Sequence, residues 1–332
     1  MAKLTRRAAL AGIAAAAAWP VRAAPSFAEA ARQGASLDQM HALAIAHRGS
    51  VVLAERFRGP ALDRPVNVKS VSKTLVASVL GAAIDRGVVP DVEARLGEVA
   101  PRLIPAGADP RVPALTLAHL VTMQAGLERT SGANYGAWVS SRNWVADALS
   151  RPFVAEPGDG MLYSTGSFHV LGAALAEAGG DSLLGLTRAW LGRPLGIEIP
   201  AWTRDPQGRF LGGNEMALSP MAMLRFAEMV RQQGRHGEAQ VLSADWVAAS
   251  MQPRTRSPFS GLDYGYGWFV GRMDGVQVAL ARGFGGQVIA VAPERALSVA
   301  ITSDPTRPAR SQGYFGDLLA LLETVVLPAA RA

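Results

Sequence analysis

Lysine is scarce in this chain. Lys3, Lys69 and Lys73 stand against thirty arginines, and the two cations differ in one chemical respect. Arginine keeps its proton at neutral pH, whereas a desolvated lysine can give its proton up and act as a base. Lys73 follows Ser70 by three residues in Ser70-Val71-Ser72-Lys73-Thr74. On a helix that spacing puts the hydroxyl and the amine on one face, within reach of each other. A helix start also supplies free amides and a positive dipole end, which favour a developing anionic oxygen and a neutral amine. The chemistry implied is a serine nucleophile with a lysine base, because a hydroxyl needs a proton acceptor in contact before it can attack a carbonyl. The plainer alternative at this point is an N-cap serine followed by a surface lysine.

The elements around the pair favour the first reading. Val71, Leu75 and Val79 recur at every fourth position beside Val76, Leu80 and Ile84, the wide apolar stripe of a largely buried helix ended by Gly87. Before it, Ala42–Ala46 and Val51–Phe57 are β-prone runs joined around Arg48-Gly49-Ser50, a hairpin pattern, followed by a polar loop over 59–67. Residues 91–160 read as helical, with breaks at Pro101, Pro105, Pro110, Pro113 and Gly126, and 162–179 as a further helix. Helices are expected over 220–233 and 244–251. Three strand-sized runs (Val276–Leu280, Val288–Ala292, Leu297–Ile301) then suggest an antiparallel meander, closed by a helix over 317–326 lying across it. Strands at both chain ends with helices between them imply an α+β fold, an antiparallel sheet built from both termini, flanked by helices and holding an inserted all-helical subdomain. The expected boundaries are 24–90 with 162–332 for the α/β part and 91–161 for the helical part.

Composition narrows the function. With 49% hydrophobic and 18% charged residues the chain has ample material for a large core, which excludes disorder. It has no cysteine, so disulfides, thiol nucleophiles and thiolate metal sites are excluded. The formal charge of +6 shrinks once Lys3, Arg6, Arg7 and Arg22 are set aside: 29 basic minus 27 acidic side chains leaves +2. That balance, without a basic cluster, argues against nucleic acid as a partner. Thr5-Arg6-Arg7 before the apolar run Ala8–Trp19, with Val21-Arg22-Ala23 behind it, reads as a removable twin-arginine export signal over 1–23, directing the chain to the periplasm. The apolar run is too short to span a bilayer core of roughly 30 Å. Five histidines (His41, His47, His119, His169, His236) lack ligand spacing, and no G-x-S-x-G elbow occurs, so neither a metal nor another cofactor is expected. His119 and His169 read as satisfied structural residues.

The string Ser-Val-Ser-Lys-Thr over 70–74 resembles the first motif of the serine β-lactamase and penicillin-binding-protein-like superfamily, specifically the branch of class C β-lactamases, family VIII carboxylesterases and 6-aminohexanoate-oligomer hydrolases. Leu115–Leu127 is similar to the segment before the active-site entrance, and Glu156-Pro157-Gly158 leading to Tyr163-Ser164-Thr165 resembles the second motif. The resemblance implies Tyr163 as a second proton-handling group, with the charge of Lys73 favouring phenolate character. It implies an oxyanion hole formed by the Ser70 and Phe284 backbone N–H groups, with Gly283-Phe284-Gly285-Gly286-Gln287 bringing the chain close to substrate.

Two departures bear on substrate. Thr165 stands where β-lactamases have the asparagine of Tyr-x-Asn, removing an amide that would hold Lys73 or a substrate oxygen. The third motif reads Ala281-Arg282-Gly283, without its usual cation at the first position. Arg282 is the candidate substitute, although strand alternation turns it away from the side of residue 281. Both departures favour an esterase or amidase over a β-lactamase. Asn214, in Gly212-Gly213-Asn214, reads equally as a turn residue or a substrate contact, and Gly283 and Gly285 join Thr165, Asn214 and Arg282 as candidate substrate-binding residues. Aromatics of Trp202 and of Tyr264-Gly265-Tyr266-Gly267-Trp268 are expected in part to line an apolar pocket. The expected activity is an exported, cofactor-free serine hydrolase acting on small-molecule esters or amides. A D-amino-acid peptidase, a weak β-lactamase and a non-hydrolysing penicillin-binding or sensor module remain as alternatives.

Overall fold

A computed structural model describes residues 26–331; the expected leader over 1–23 lies outside the described residues. In chain order the elements that matter here are α1 (Phe27–Ser36), β1 (Met40–His47), β2 (Ser50–Arg56), β3 (Val66–Lys69), α2 (Val71–Asp85), α3 (Thr165–Gly179), β4 (Met216–Leu218) and α4 (Pro220–Arg231). Then follow β5 (Thr255–Arg256), β6 (Asp263–Tyr264), β7 (Phe269–Met273), β8 (Val276–Gly283), β9 (Gln287–Ala292), β10 (Leu297–Ser303) and α5 (Tyr314–Leu321).

The expected hairpin forms, and its turn consists of Arg48 and Gly49, both at positive φ (52° and 83°). Two left-handed residues in succession give the tight turn whose twist matches that of the flanking strands. The main sheet is antiparallel with eight strands in the order β2-β1-β10-β9-β8-β7-β6-β5. Its two chain ends meet where β1 pairs with β10, with Leu43 opposite Ile301 and Ala44 opposite Ala300. The architecture is therefore the α+β arrangement expected, a large antiparallel sheet flanked by helices. One face carries α2 and α4; the other carries α5 and its continuation to Ala329, alongside α1.

Helix α2 is buried along its length from Val71 to Ala83. It lies between the sheet and α3, and its apolar side chains form part of one hydrophobic cluster that runs from the sheet into the helical layer. Removing a buried leucine or valine side chain from water contributes about 1.5–3 kcal/mol, so the helix that carries Ser70 and Lys73 is fixed by packing on every side. Gly81 is the closest approach: a Cβ there would lie 2.3 Å from the Trp246 ring.

Three expectations change. The stretch 91–160 holds only short helices, Leu96–Val99, Leu117–Val121, Tyr135–Val139 and Trp144–Leu149, joined by loops. Pro101 and Pro113 instead sit in short 3-10 turns, where a residue without an N–H costs nothing. The polar loop over 59–67 gives way at Val66 to β3, which pairs with β4 in a small separate ribbon. Helix α3, placed with the α/β part, packs on Leu117–Val121 and Trp144–Leu149 as well as on α2, so the packing is continuous across residue 161. Among the described residues no helix is long and apolar enough to cross a membrane.

Candidate active site

Ser70 sits between β3 and α2 as the cap residue of the helix, but its hydroxyl makes no capping bond. The oxygen is thus free for other use. The residue before it, Lys69, has φ 52°, a left-handed conformation that costs a non-glycine residue energy unless its surroundings hold it. They do. The Lys69 N–H donates to Asn67 Oδ1 at 2.8 Å, its ammonium pairs with Glu215 at 3.1 Å, and Asn67 also donates to Glu215. Ser72, on the first turn of α2, accepts from the Met216 N–H at 3.1 Å and so ties the helix start to β4.

Lys73 points from α2 into the gap between this turn, α3 and the 212–214 loop. Its Nζ donates to Ser70 Oγ at 3.1 Å, to Thr165 Oγ1 at 3.2 Å and to the Gly213 carbonyl at 2.7 Å. All three acceptors are neutral. Among the described residues no carboxylate pairs with Lys73, the side chain is fully buried, and burial lowers its pKa to about 7. Desolvation penalises the ammonium, and nothing nearby repays it with negative charge. The amine is therefore neutral in a large fraction of molecules at neutral pH, in contact with the hydroxyl it would deprotonate.

Thr165 opens α3. Its N–H donates to Ser131 Oγ at 2.8 Å, its hydroxyl pairs with the same oxygen at 3.0 Å, and the Gly166 N–H donates to Thr130 Oγ1 at 2.7 Å. Two side chains from the 130–131 segment thus satisfy amides that a helix leaves free at its start. The Tyr163 ring lies 4.9 Å from Lys73 Nζ and meets Phe259 edge-on at 5.3 Å. Burial raises the phenol pKa, while the Ser70 hydroxyl and the Arg282 charge act in the opposite direction.

Ser70, Tyr163, Thr165, Asn214, Arg282, Gly283 and Phe284 all line one open cavity of about 540 Å³. Gly283 explains how β8 reaches Ser70: a Cβ at this position would stand 2.3 Å from the Val68 carbonyl oxygen and 3.2 Å from Lys69 Cβ. Only glycine allows the two backbones to pass so closely. Among the described residues neither the Ser70 nor the Phe284 backbone N–H has a protein acceptor. Both amides are uncommitted in residues that line the cavity, as donors to a tetrahedral oxyanion would need to be.

Matched against known families, residues 24–321 fit the Beta-lactamase family. The chain belongs to the beta-lactamase family. As a member it is a serine hydrolase. It is 30% identical over 172 residues to the D-alanyl-D-alanine-carboxypeptidase/endopeptidase AmpH of Escherichia coli (strain K12), an alignment covering 48% of this chain and 43% of that protein. The chain thus matches less than half the length of this curated relative. In fold it resembles a penicillin-binding protein homolog from Caulobacter crescentus (TM-score 0.73, 15% identity, 92% of this chain and 97% of that one). It also resembles EstCE1, a hydrolase with promiscuous acyltransferase activity (TM-score 0.70, 17% identity, 91% and 98%).

Within this beta-lactamase-family fold, several expectations need correction. Thr165 does not release Lys73, because its hydroxyl accepts from the amine where the amide was expected. Lys73 does not favour a phenolate: it faces the Tyr163 ring, burial weakens its hold on its proton, and the cation acting on the phenol is Arg282. Gly285 is turned away from the cavity. At φ 82° its missing Cβ would meet the Asp304 carbonyl at 2.4 Å, and its own carbonyl accepts from Gln39 at 3.0 Å. Tyr264, Tyr266 and Trp268 are core residues, Tyr266 stacked on Trp246 at 5.4 Å and Trp268 on Phe226 at 6.2 Å. Trp202 packs on Phe210 at 4.8 Å. The cavity wall comes instead from Phe259, Phe269, Phe284, Phe315 and Tyr135, with Ser131 and Glu215 as further lining residues absent from the sequence reading.

Proposed function

We propose that this serine hydrolase cleaves carboxylic esters or small amides through an acyl-enzyme on Ser70. The observation that carries the reading is the buried, unpaired Lys73 amine, with a pKa of about 7, at 3.1 Å from Ser70 Oγ. Lys73 takes the hydroxyl proton as Oγ attacks the substrate carbonyl, and the resulting oxyanion lies between the Ser70 and Phe284 N–H groups. Tyr163, kept protonated by its burial, passes a proton to the leaving alkoxide or amine and is resupplied from Lys73. Water then attacks the acyl carbon by the same route in reverse and frees the acid. Export behind the leader of residues 1–23 belongs to the same reading, and fractionation of cells producing the full chain tests it.

A specific observation favours a second reading, a D-amino-acid peptidase. Arg282 lies on the α5 face of β8, with its guanidinium 3.5 Å from the centroid of the Phe315 ring and 5.1 Å from that of Phe269. Among the described residues it pairs with no carboxylate, its Nη1 is buried without a partner, and burial lowers its pKa to about 10. A cation held on aromatic faces at the cavity edge suits a substrate bearing a carboxylate, as the name of the curated relative also suggests.

A substrate panel separates the readings: a short p-nitrophenyl ester, nitrocefin and a peptide ending in D-alanyl-D-alanine. The ester is expected to turn over fastest, and Ser70→Ala is expected to abolish that turnover. Arg282→Met should lower kcat/KM for the carboxylate-bearing peptide by about tenfold or more beyond its effect on the neutral ester, which shares only the loss of the charge beside Tyr163. Fastest turnover of nitrocefin would overturn the ester reading. An acylation burst with no steady-state rate would instead indicate a penicillin-binding or sensor module.

A further inference from the structure

We infer that the buried pair His169–Asp205 positions the Lys73 amine through the Gly212-Gly213 segment; this rests on Lys73 being the base for Ser70. His169, on α3, and Asp205 are both shielded from solvent, and His169 Nε2 lies 3.1 Å from Asp205 Oδ2. The other ring nitrogen, Nδ1, accepts the Gly212 N–H at 3.3 Å. An accepting Nδ1 carries no proton, so the proton is on Nε2 and is donated to the carboxylate. Only this neutral tautomer satisfies both contacts.

The next residue along, Gly213, supplies the carbonyl that accepts from Lys73 Nζ at 2.7 Å, the shortest of the three contacts of the amine. The segment has no slack. A Cβ on Gly212 would stand 2.2 Å from the Phe168 carbonyl and 2.9 Å from His169 Cα, and one on Gly213 would stand 2.9 Å from Phe168 Cβ. The bond from Gly212 to the imidazole therefore sets where the Gly213 carbonyl sits, and with it the distance from the amine to Ser70. Asp205 is itself fixed, with Oδ1 accepting from the Gln207 N–H at 2.9 Å and the Arg209 N–H at 2.8 Å, and the Arg209 guanidinium 3.6 Å from Oδ2. Trp138 and Trp144 close the imidazole in edge-on, at 5.8 Å and 5.6 Å.

The charged and titratable groups facing the two ends are separate. Asp205 and Arg209 face His169. Ser70 and Tyr163 face Lys73, with Arg282 beyond the phenol and the Lys69–Glu215 ion pair bordering the same cavity. His169 reaches none of the reacting atoms, so it is a positioning residue.

Two isosteres divide its two bonds. Asparagine places a carbonyl oxygen near the Nδ1 position and can still accept from Gly212. Glutamine reaches the Nε2 position and serves Asp205 alone. We expect His169→Gln to lower kcat/KM for a p-nitrophenyl ester by about tenfold or more, since an ångström of misplacement at a reacting group is worth up to about a hundredfold. The midpoint of the rising acid limb of its pH profile should move below that of the wild type, because the Lys73 ammonium has lost its best acceptor. His169→Asn should recover most of the loss and the wild-type midpoint, although the two variants are expected to be similarly destabilised in melting temperature. Equal losses in both variants, or an unmoved midpoint in His169→Gln, would overturn the inference. Lys73→Ala, assayed in parallel, keeps the two levels apart: full turnover by it would remove the base reading itself, whereas its inactivity beside an unaffected His169→Gln would remove only the positioning role.

Discussion

Lys73→Met is expected to lower kcat/KM for an ester by about a thousandfold, the scale of a lost general base, without destabilising the fold at pH 7. The two halves of this expectation have one cause. Holding a lysine at a pKa of about 7 instead of its ordinary 10.5 costs the folded state roughly 5 kcal/mol at and below neutral pH. Methionine fills similar space with no charge to desolvate, and this offsets the hydrogen bonds it cannot make to Thr165 and Gly213. The pH dependence has a definite sign. Between pH 7 and 10.5 the unfolded chain holds a proton on Lys73 that the folded chain has released, so the wild type gains stability as pH rises through that window. Below pH 7 both states are protonated and the penalty is constant. Melting temperatures should therefore favour Lys73→Met at pH 7 and below, with an advantage that shrinks towards pH 10. In the wild type, kcat/KM should rise through pH 7 as the amine loses its proton. A methionine variant that melts well below the wild type at pH 7, or a flat wild-type rate profile from pH 6 to 8, would contradict this account of the amine.

Gly283→Ala should lower kcat by about a hundredfold or more with a smaller change in KM, the scale of a lost oxyanion donor. The added methyl would meet the Val68 carbonyl oxygen at 2.3 Å, and a backbone atom cannot turn aside as a flexible side chain can. The end of β8 must move away from β3, taking the Phe284 N–H with it and separating it from the Ser70 N–H. Circular dichroism in the near ultraviolet distinguishes this local shift from general loss of packing, because Trp268 is buried in the core, stacked on Phe226, and does not line the cavity. An alanine variant with wild-type kcat would mean that the two amides do not act together.

These effects fall where local sequence pattern was most and least informative. The Ser70–Lys73 relation was legible because it spans one helical turn, and its burial was legible because the apolar rows of α2 continue for three more turns. The strands β8, β9 and β10 could be read from continuous apolar runs, since both faces of the sheet are covered by helices. What holds Lys73 was not legible. The Gly213 carbonyl comes from 140 residues away and the Thr165 hydroxyl from 92, and neither has a periodicity to betray it. The ribbon of β3 and β4 is four residues against three, too short for alternation to show. The cavity wall was misplaced for a related reason. Aromatic residues clustered in sequence over 264–268 stack into the core around Gly267, whose φ of 80° turns the chain there. Isolated phenylalanines at 259, 269, 284 and 315 meet at the cavity only through sheet pairing and the packing of α5. Arg282 combined both situations: alternation placed it on the far side of β8 from Ala281, but only the three-dimensional fold shows that this side also opens on the cavity.

The most direct measurement is the mass of the active-site peptide after the enzyme is mixed with a slowly deacylating p-nitrophenyl ester and quenched in acid within the first turnover. The account predicts a single acyl group on the peptide containing Ser70, absent from Ser70→Ala and strongly reduced in Lys73→Met. An acyl group on another residue, or steady ester turnover by Ser70→Ala, would contradict it.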